Sequence, residues 1–317
     1  MSLRALSAIY GGIVGLRNSF YDRGWLAARK LRGPVISVGN LSAGGSGKTP
    51  FVILLGELLK ARGIKFDVLS RGYGRKTKGV RLVDPAGLPQ EFGDEPLLIA
   101  RRLQVPVVVG EERNEAGRFA EQKFGSQMHL LDDGFQHRRL HRDFDIVLVT
   151  PEDARDRLLP AGRLREPLRS LRRADAVVLT SGASPESFPL AGKAVWKVRR
   201  GISIPANMPA RPVVFCGIAR PSNFVLQLRT AGIDPAAEAF FRDHHSYSEE
   251  DVRELLALGQ RSEADGFVTT EKDAVNLGGF LASLTPLAVV PVKMEMADAA
   301  AALDRMLRVI GELRGSQ

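Results

Sequence analysis

The chain has 317 residues, 44% of them apolar and 26% charged, with 32 glycines and one cysteine. That balance supplies a core for about two domains and excludes disordered, collagen-like and low-complexity chains. The single Cys216 excludes an intramolecular disulfide and fits a reducing compartment. The net charge of +9 is not a general basic coat: residues 1–32 carry six basic side chains and one acid, residues 155–173 carry seven arginines and two acids, and the remainder sums to −1. Two patches of that kind imply a polyanionic partner: nucleic acid, an anionic membrane or a phosphorylated substrate.

In chain order, Leu3, Leu6, Ile9, Tyr10, Ile13, Leu16 and Phe20 recur at helical spacing, with Ser, Gly and Ala opposite. The uncharged run Ala5–Leu16 is 12 residues, short of the ~20 that span a bilayer, and no signal-peptide cleavage pattern follows it. Gly11, Gly12 and Gly15 weaken an isolated helix, so this one needs an apolar partner, either the core or a membrane interface. Flanking Arg23, Arg29, Lys30 and Arg32 favour anionic lipid, with Arg17 reaching the headgroups.

From residue 34, β-branched runs alternate with helical stretches. Val35–Val38, Phe66–Leu69, Val105–Val109, Met128–Leu131, Phe144–Thr150 and Ala176–Thr180 read as strands; Thr49–Arg62, Glu95–Leu103 and Asn114–Phe124 read as helices. Ser181–Pro189 is rich in Ser, Gly and Pro, and a strand over Ala194–Arg199 leads into the turn-rich Gly201–Pro212. The alternation then restarts, with strands at Val213–Cys216, Phe267–Thr270 and Leu287–Val290 and helices at Ser222–Thr230, Glu249–Gln260 and Ala297–Leu313. The expected fold class is α/β, two α/β/α domains with mainly parallel sheets behind an N-terminal amphipathic helix. The expected limits are 1–32 for the helix, 33–205 for the first domain and 206–317 for the smaller second one.

The sharpest motif is Val35-Ile-Ser-Val-Gly-Asn-Leu-Ser-Ala-Gly-Gly-Ser-Gly-Lys-Thr-Pro50, a strand, a glycine-rich loop and a helix start. Backbone N–H groups of Ser42, Ala43, Gly44, Gly45, Ser46 and Gly47 would cradle a β-phosphate, with the helix N-terminus adding its positive end. Lys48 would reach the β- and γ-phosphates and the Thr49 hydroxyl would bind Mg²⁺. Ser42 stands where the usual P-loop pattern has its first glycine; Gly44 and Gly45 supply the flexibility. Met128–Asp133 is an apolar strand ending in Asp132 and Asp133, the place for the second Mg²⁺ partner. The class is therefore P-loop NTPase-like, binding a nucleotide with Mg²⁺. Thr270-Glu-Lys-Asp273 has the wrong order for a guanine reader, and Gly72-x-Gly74 lacks the third glycine of a dinucleotide site.

The ordered set Val38–Pro50, Leu69-Ser-Arg-Gly-Tyr-Gly-Arg75, Phe92-Gly-Asp-Glu-Pro96, Asp132-Asp-Gly-Phe-Gln-His137, Leu159-Pro-Ala-Gly-Arg-Leu-Arg-Glu-Pro167, Phe215-Cys-Gly-Ile-Ala219, Asp243-His244 and Thr270-Glu-Lys-Asp273 resembles the tetraacyldisaccharide 4′-kinase (lipid A 4′-kinase) family. The resemblance implies transfer of the γ-phosphate of MgATP to the 4′-hydroxyl of an acylated glucosamine disaccharide 1-phosphate, peripherally at the cytoplasmic face of a bacterial inner membrane. It makes 33–205 the kinase domain and Asp94 the base, with His244 as partner; read alone, Asp94 is also an ordinary helix cap. It places Arg165 and Glu166 toward the substrate. Glu95 is a further metal-orienting candidate. Arg71, Tyr73 and Arg75 lie on a loop after a strand, where an arginine can neutralise charge on the transferred phosphoryl, and His137 is expected to line the site. His129, His137 and His141 fit no zinc spacing. A monomer is expected, and no nucleic-acid partner, since the 155–173 patch has no aromatic for base stacking.

Overall fold

The computed structural model describes residues 2–315, so the expected domain limits at 1 and 317 lie outside the described residues. Thirteen strands are described: β1 (Val35–Asn40), β2 (Phe66–Ser70), β3 (Arg81–Leu82), β4 (Val107–Val109), β5 (Met128–Asp132), β6 (Phe144–Val149), β7 (Ala176–Leu179), β8 (Ala194–Ile202), β9 (Val213–Cys216), β10 (Ala237–Phe240), β11 (Phe267–Thr270), β12 (Leu287–Val290) and β13 (Val292–Met296). Among the described residues they form a nine-stranded sheet, β13-β8-β7-β6-β1-β5-β2-β4-β3, and a four-stranded sheet, β10-β9-β11-β12. The large sheet is parallel except at its two edge strands, β13 and β3, and the small one is parallel throughout.

β1, β2, β5 and β6 are buried at every residue, as continuous apolar runs covered on both faces must be. One face packs on the helices Lys48–Ala61, Asp94–Leu103 and Ala299–Gly315 through Phe51, Val52, Leu55, Leu59, Leu97, Ile99, Leu103, Leu303, Met306 and Ile310. The other is covered by Arg113–Phe124 beside β2, β4 and β5, and by short 3₁₀ turns beside β6 and β7. β1 lies between β5 and β6, so the chain leaves it in one direction and returns on its other side. At that reversal the strand ends open a crevice, the usual ligand position in such sheets.

The second sheet packs between Pro221–Thr230 on one side and Glu249–Arg261 on the other. Its expected run to the C-terminus is corrected by strand pairing: β13 bonds antiparallel to β8, and the helix Ala299–Gly315 packs in the core of the large sheet. The chain therefore crosses between units twice, and the crossings touch, with Ser203 N–H donating to Pro291 O at 3.0 Å. β10, β13 and the helix Glu271–Leu277 were not anticipated. β13 is a half-exposed edge strand and β10 alternates half-buried and exposed residues, so neither carries the continuous apolar run of a central strand.

The N-terminal helix Leu3–Asp22 lies across the 157–166 segment on its polar side. Ser7 Oγ donates to Leu158 O at 2.8 Å, Tyr10 Oη to Arg165 O at 3.0 Å and Asn18 Nδ2 to Glu166 at 2.6 Å. Leu3, Ile9, Ile13 and Leu16 are left 52–64% exposed. Arg17 donates to the Gln136 carbonyl rather than standing free.

A buried ion cluster pins the entry to β1. His129 Nδ1 lies 2.9 Å from Asp67 and Nε2 lies 3.4 Å from Glu121, whose carboxylate also accepts the Arg32 and Gly33 N–H groups. Burial pulls the His129 pKa down, but the hydrogen bond and charge of Asp67 outweigh it and the net direction is up. A raised folded-state pKa means this stabilisation is complete below the unfolded-state value and is lost as pH rises through the folded one. Urea unfolding should therefore show a stability decrement on that alkaline side that His129→Leu abolishes. The variant, leaving Asp67 buried without its partner, should lose about 3–5 kcal/mol. A pH profile identical in both proteins would contradict this.

Candidate active site

At the end of β1, Asn40 Nδ2 donates to Ser42 O and to Ser46 Oγ, both at 2.7 Å, and so folds the loop onto itself. The loop's outer side pairs with the segment before Glu166: Ala43 N–H donates to Arg163 O at 2.7 Å and Arg165 N–H to Leu41 O at 2.6 Å. Ala43, Gly44 and Gly45 are exposed, whereas Ser42, Ser46 and Thr49 are buried. Gly47 has φ +85° and caps the helix that Lys48 begins, a conformation that favours glycine. Lys48 Nζ donates to Asn40 Oδ1 at 3.1 Å and lies 3.6 Å from Asp133.

β5 delivers Asp132 and Asp133 beside this lysine. Asp133, at φ +50°, forms a two-pronged ion pair with Arg165, with contacts of 2.8 and 2.9 Å. Burial works to raise its pKa, yet Lys48, Arg165 and Arg113 hold it well below the usual carboxylate range. Asp132 goes the other way. Burial, then the charges of Glu95 and Asp133, push it up to about 7. Its Oδ2 accepts from Ser70 Oγ at 3.1 Å, while its buried Oδ1 has no hydrogen-bond partner among the described residues. An orphaned carboxylate oxygen beside further carboxylates, with a threonine hydroxyl at the loop's end, is a hard all-oxygen donor set that fits Mg²⁺.

The second unit completes the site. Gly93, at φ +90°, approaches Tyr73 O so closely that a Cβ there would sit 2.9 Å away, and it starts the helix at Asp94. Asp94 is thus the first helical residue, with its carboxylate turned to the other unit. His244 Nδ1 lies 2.8 Å from Asp94 Oδ2 and 3.1 Å from Oδ1; Asn276 Nδ2 donates to Oδ2 at 3.3 Å and Lys272 Nζ stands 3.8 Å away. Burial would raise the Asp94 pKa, but the His244 hydrogen bond and the Lys272 charge lower it on balance. The same bond raises the His244 pKa against burial and Lys272. His244 holds φ +59°, unusual for a non-glycine, with its N–H on Gly217 O at 3.2 Å. The 5.5 Å edge-on contact with Tyr73 places that exposed tyrosine beside the pair.

Arg71 is exposed, and its charge is felt at both Arg113 and His137. Burial and the surrounding arginines, Arg113 first, pull the His137 pKa down to about 3, leaving a neutral ring whose buried Nε2 has no partner among the described residues. Two expectations need correcting. Arg75 does not face the crevice: its side chain is 2% exposed and braces its own loop through Glu111 and Gly79 O, at 2.7 Å each. Glu166 is 0% exposed, paired with Arg173 at 2.9 and 3.0 Å and with Asn18, so it anchors the N-terminal helix rather than meeting a ligand. Arg165, its neighbour, points the opposite way, to Asp133 and Asn40 Oδ1.

Sequence reasoning missed Asn40, Arg113 and Lys272. Asn40 and Lys272 stand inside stretches that carried the family resemblance, so the signal was present without a role. Arg113, 5% exposed with its Nε unpartnered among the described residues, sits in a helix start that has no motif of its own.

A family model described as Tetraacyldisaccharide-1-P 4'-kinase matches residues 1–310. A Tetraacyldisaccharide 4'-kinase of Koribacter versatilis is 51% identical over 322 residues, covering 99% of this chain and 100% of its own length. The protein of that name from Aquifex aeolicus is 42% identical over 296 residues, covering 88% and 90%. A crystal structure of LpxK from Aquifex aeolicus in complex with ATP superposes with a TM-score of 0.81 at 37% identity, covering 97% of this chain and 98% of that one.

Proposed function

The chain belongs to the tetraacyldisaccharide 4′-kinase family, and from that membership we propose that it passes the γ-phosphate of ATP to the 4′-hydroxyl of a tetraacylated glucosamine disaccharide 1-phosphate. The observation that carries this reading is the Asp94–His244 pair, 2.8 Å apart and brought from separate units to the crevice that holds the glycine-rich loop. A nucleotide alone needs no such pair; an acceptor hydroxyl needs a base.

The loop backbone and Lys48 hold the β- and γ-phosphates, Lys48 exchanging Asn40 and Asp133 for phosphate oxygens. Thr49 and Asp132, with Asp133 and Glu95 nearby, would hold Mg²⁺, which would supply charge neutralisation on the phosphates. As the acceptor oxygen bonds to the γ-phosphorus, the bridging P–O bond breaks and ADP leaves with its electron pair. The hydroxyl proton passes to Asp94. His244 donates Nδ1–H to that carboxylate and fixes its direction. Arg71 and Arg113 offset charge on the transferring group, and neutral His137 and Tyr73 line the sugar side.

Expected transfer of labelled γ-phosphate to the disaccharide acceptor, with the product mass and fragmentation placing it at the 4′ position, tests the reading; no transfer by folded protein would reject it. Asp94→Ala should lower kcat by about 10²–10⁴ in protein that still melts cooperatively, and undiminished turnover would remove Asp94 as base.

The acceptor is amphiphilic, so the enzyme must work at lipid. The exposed Leu3, Ile9, Ile13 and Leu16 stripe, continued by Trp25 at 65% exposure under Arg23, suits the face of an anionic bilayer, from which a monomer would draw substrate. Among the described residues no helix is long and apolar enough to cross a membrane. Ile13→Glu should reduce sedimentation with phosphatidylglycerol vesicles severalfold while sparing ATP binding; equal sedimentation would contradict this role for the stripe.

A further inference from the structure

The helix Glu271–Leu277 joins the two units and aims two side chains at the candidate base. It is capped by Thr270, whose side chain accepts from Asp273 N–H. Glu271 reaches across to Arg102 of the first unit at 2.7 Å. Asp273, fully buried, accepts from Gly217 N–H at 2.7 Å and Tyr247 Oη at 2.8 Å, and so fixes the segment on which His244 is held. Lys272 and Asn276, four residues apart, lie on one helix face. Asn276 donates to Asp94. Lys272 Nζ donates to Asp243 Oδ1 at 3.0 Å and meets His244 Nε2 at 3.1 Å, with its side chain 17% exposed.

An ammonium has only protons to offer. The imidazole nitrogen that faces it at hydrogen-bond distance is therefore the ring's acceptor, and the proton of the neutral ring is confined to the other nitrogen. We propose that Lys272 is a positioning residue for phosphoryl transfer: by donating to His244 Nε2 it fixes the Nδ1–H tautomer, which alone can donate to Asp94. The proposal rests on the reading of Asp94 as base. Without Lys272 the ring's proton is drawn between two carboxylates, Asp94 at Nδ1 and Asp243, 3.9 Å from Nε2, and when it sits on Nε2, Nδ1 confronts Asp94 with a lone pair. The carboxylate loses its direction although no group touching the acceptor has changed. Asp243, which accepts from both Lys272 Nζ and the His244 N–H, holds the lysine in place.

The test uses full-length protein labelled with ¹⁵N in its histidine rings, observed in alkaline buffer above the titration of His244, with Lys272→Met, Lys272→Arg and Asp94→Asn beside the wild type. The wild type should show His244 with a protonated Nδ1 and a pyridine-like Nε2. In Lys272→Met the two ring shifts should move toward the mixed-tautomer average, and kcat should fall on the order of tenfold, part of what a positioned base supplies, with KM for ATP unchanged. Lys272→Arg, which can still donate, should keep the tautomer and recover most of kcat. An unchanged tautomer in Lys272→Met overturns the proposal, whether or not kcat falls, because a loss of turnover alone would mark a structural role. Should Lys272→Met not fold, Lys272→Leu, which likewise has no donor, carries the same measurement. Undiminished turnover in Asp94→Asn would instead overturn the base assignment, while the tautomer shifts report on Lys272 separately.

Discussion

The arrangement of the molecule turns on one contact, the hydrogen bond between Asp94 on the large-sheet unit and His244 on the small one. Neither residue is well placed by its own unit alone. Asp94 is nearly buried, and its charge is supported from across the cleft by His244, Lys272 and Asn276. His244 sits in a left-handed backbone conformation that costs energy for a side-chain-bearing residue, and it is kept there by the Gly217 and Asp243 contacts. Without those partners the buried carboxylate would keep the Glu95 N–H at 2.9 Å but lose most of what offsets its desolvation. The two units therefore stabilise each other at the proposed base, Asp94.

Everything near that contact serves to bring two chemistries together. The strand reversal around β1 sets the glycine-rich loop at the carboxyl edge of the large sheet, and β5 adds beside Lys48 two carboxylates whose environments push their titration in opposite directions. Asp133 is held ionised by Lys48, Arg113 and Arg165, while Asp132 is left with an orphaned oxygen and a pKa of about 7. That asymmetry leaves one carboxylate committed to the scaffold and the other available to a cation. The two crossovers between the units touch, with Ser203 N–H donating to Pro291 O at 3.0 Å.

Much of this was legible in the sequence, for identifiable reasons. The buried parallel strands announced themselves as apolar runs, and the loop from Gly44 to Thr49 and the Asp132–Asp133 pair carried their chemistry in residue type and spacing. The Asp94–His244 partnership, 150 residues apart, came only from resemblance, since no local pattern links a helix start to a distant loop. Arg75 and Glu166 were misplaced because a charged residue in a functional motif looks the same whether it meets a ligand or braces a loop; only burial and pairing with Glu111 and Arg173 distinguish them. The return of β13 and the last helix to the large sheet was hidden because an antiparallel edge strand lacks the hydrophobic run of a central one, so sequence order was taken for domain order.

If the cross-unit pair acts as one device, its members must fail together. The most direct measurement is a double-mutant cycle on kcat/KM with Asp94→Asn, His244→Gln and the double variant, each checked for an unchanged melting curve. Residues that act as a unit are strongly non-additive. The double variant should therefore be about as slow as the slower single one, within roughly threefold, with a coupling energy on the order of 1–3 kcal/mol. Losses that simply multiply would mean that Asp94 and His244 work independently, and would contradict the pair as the centre of this site.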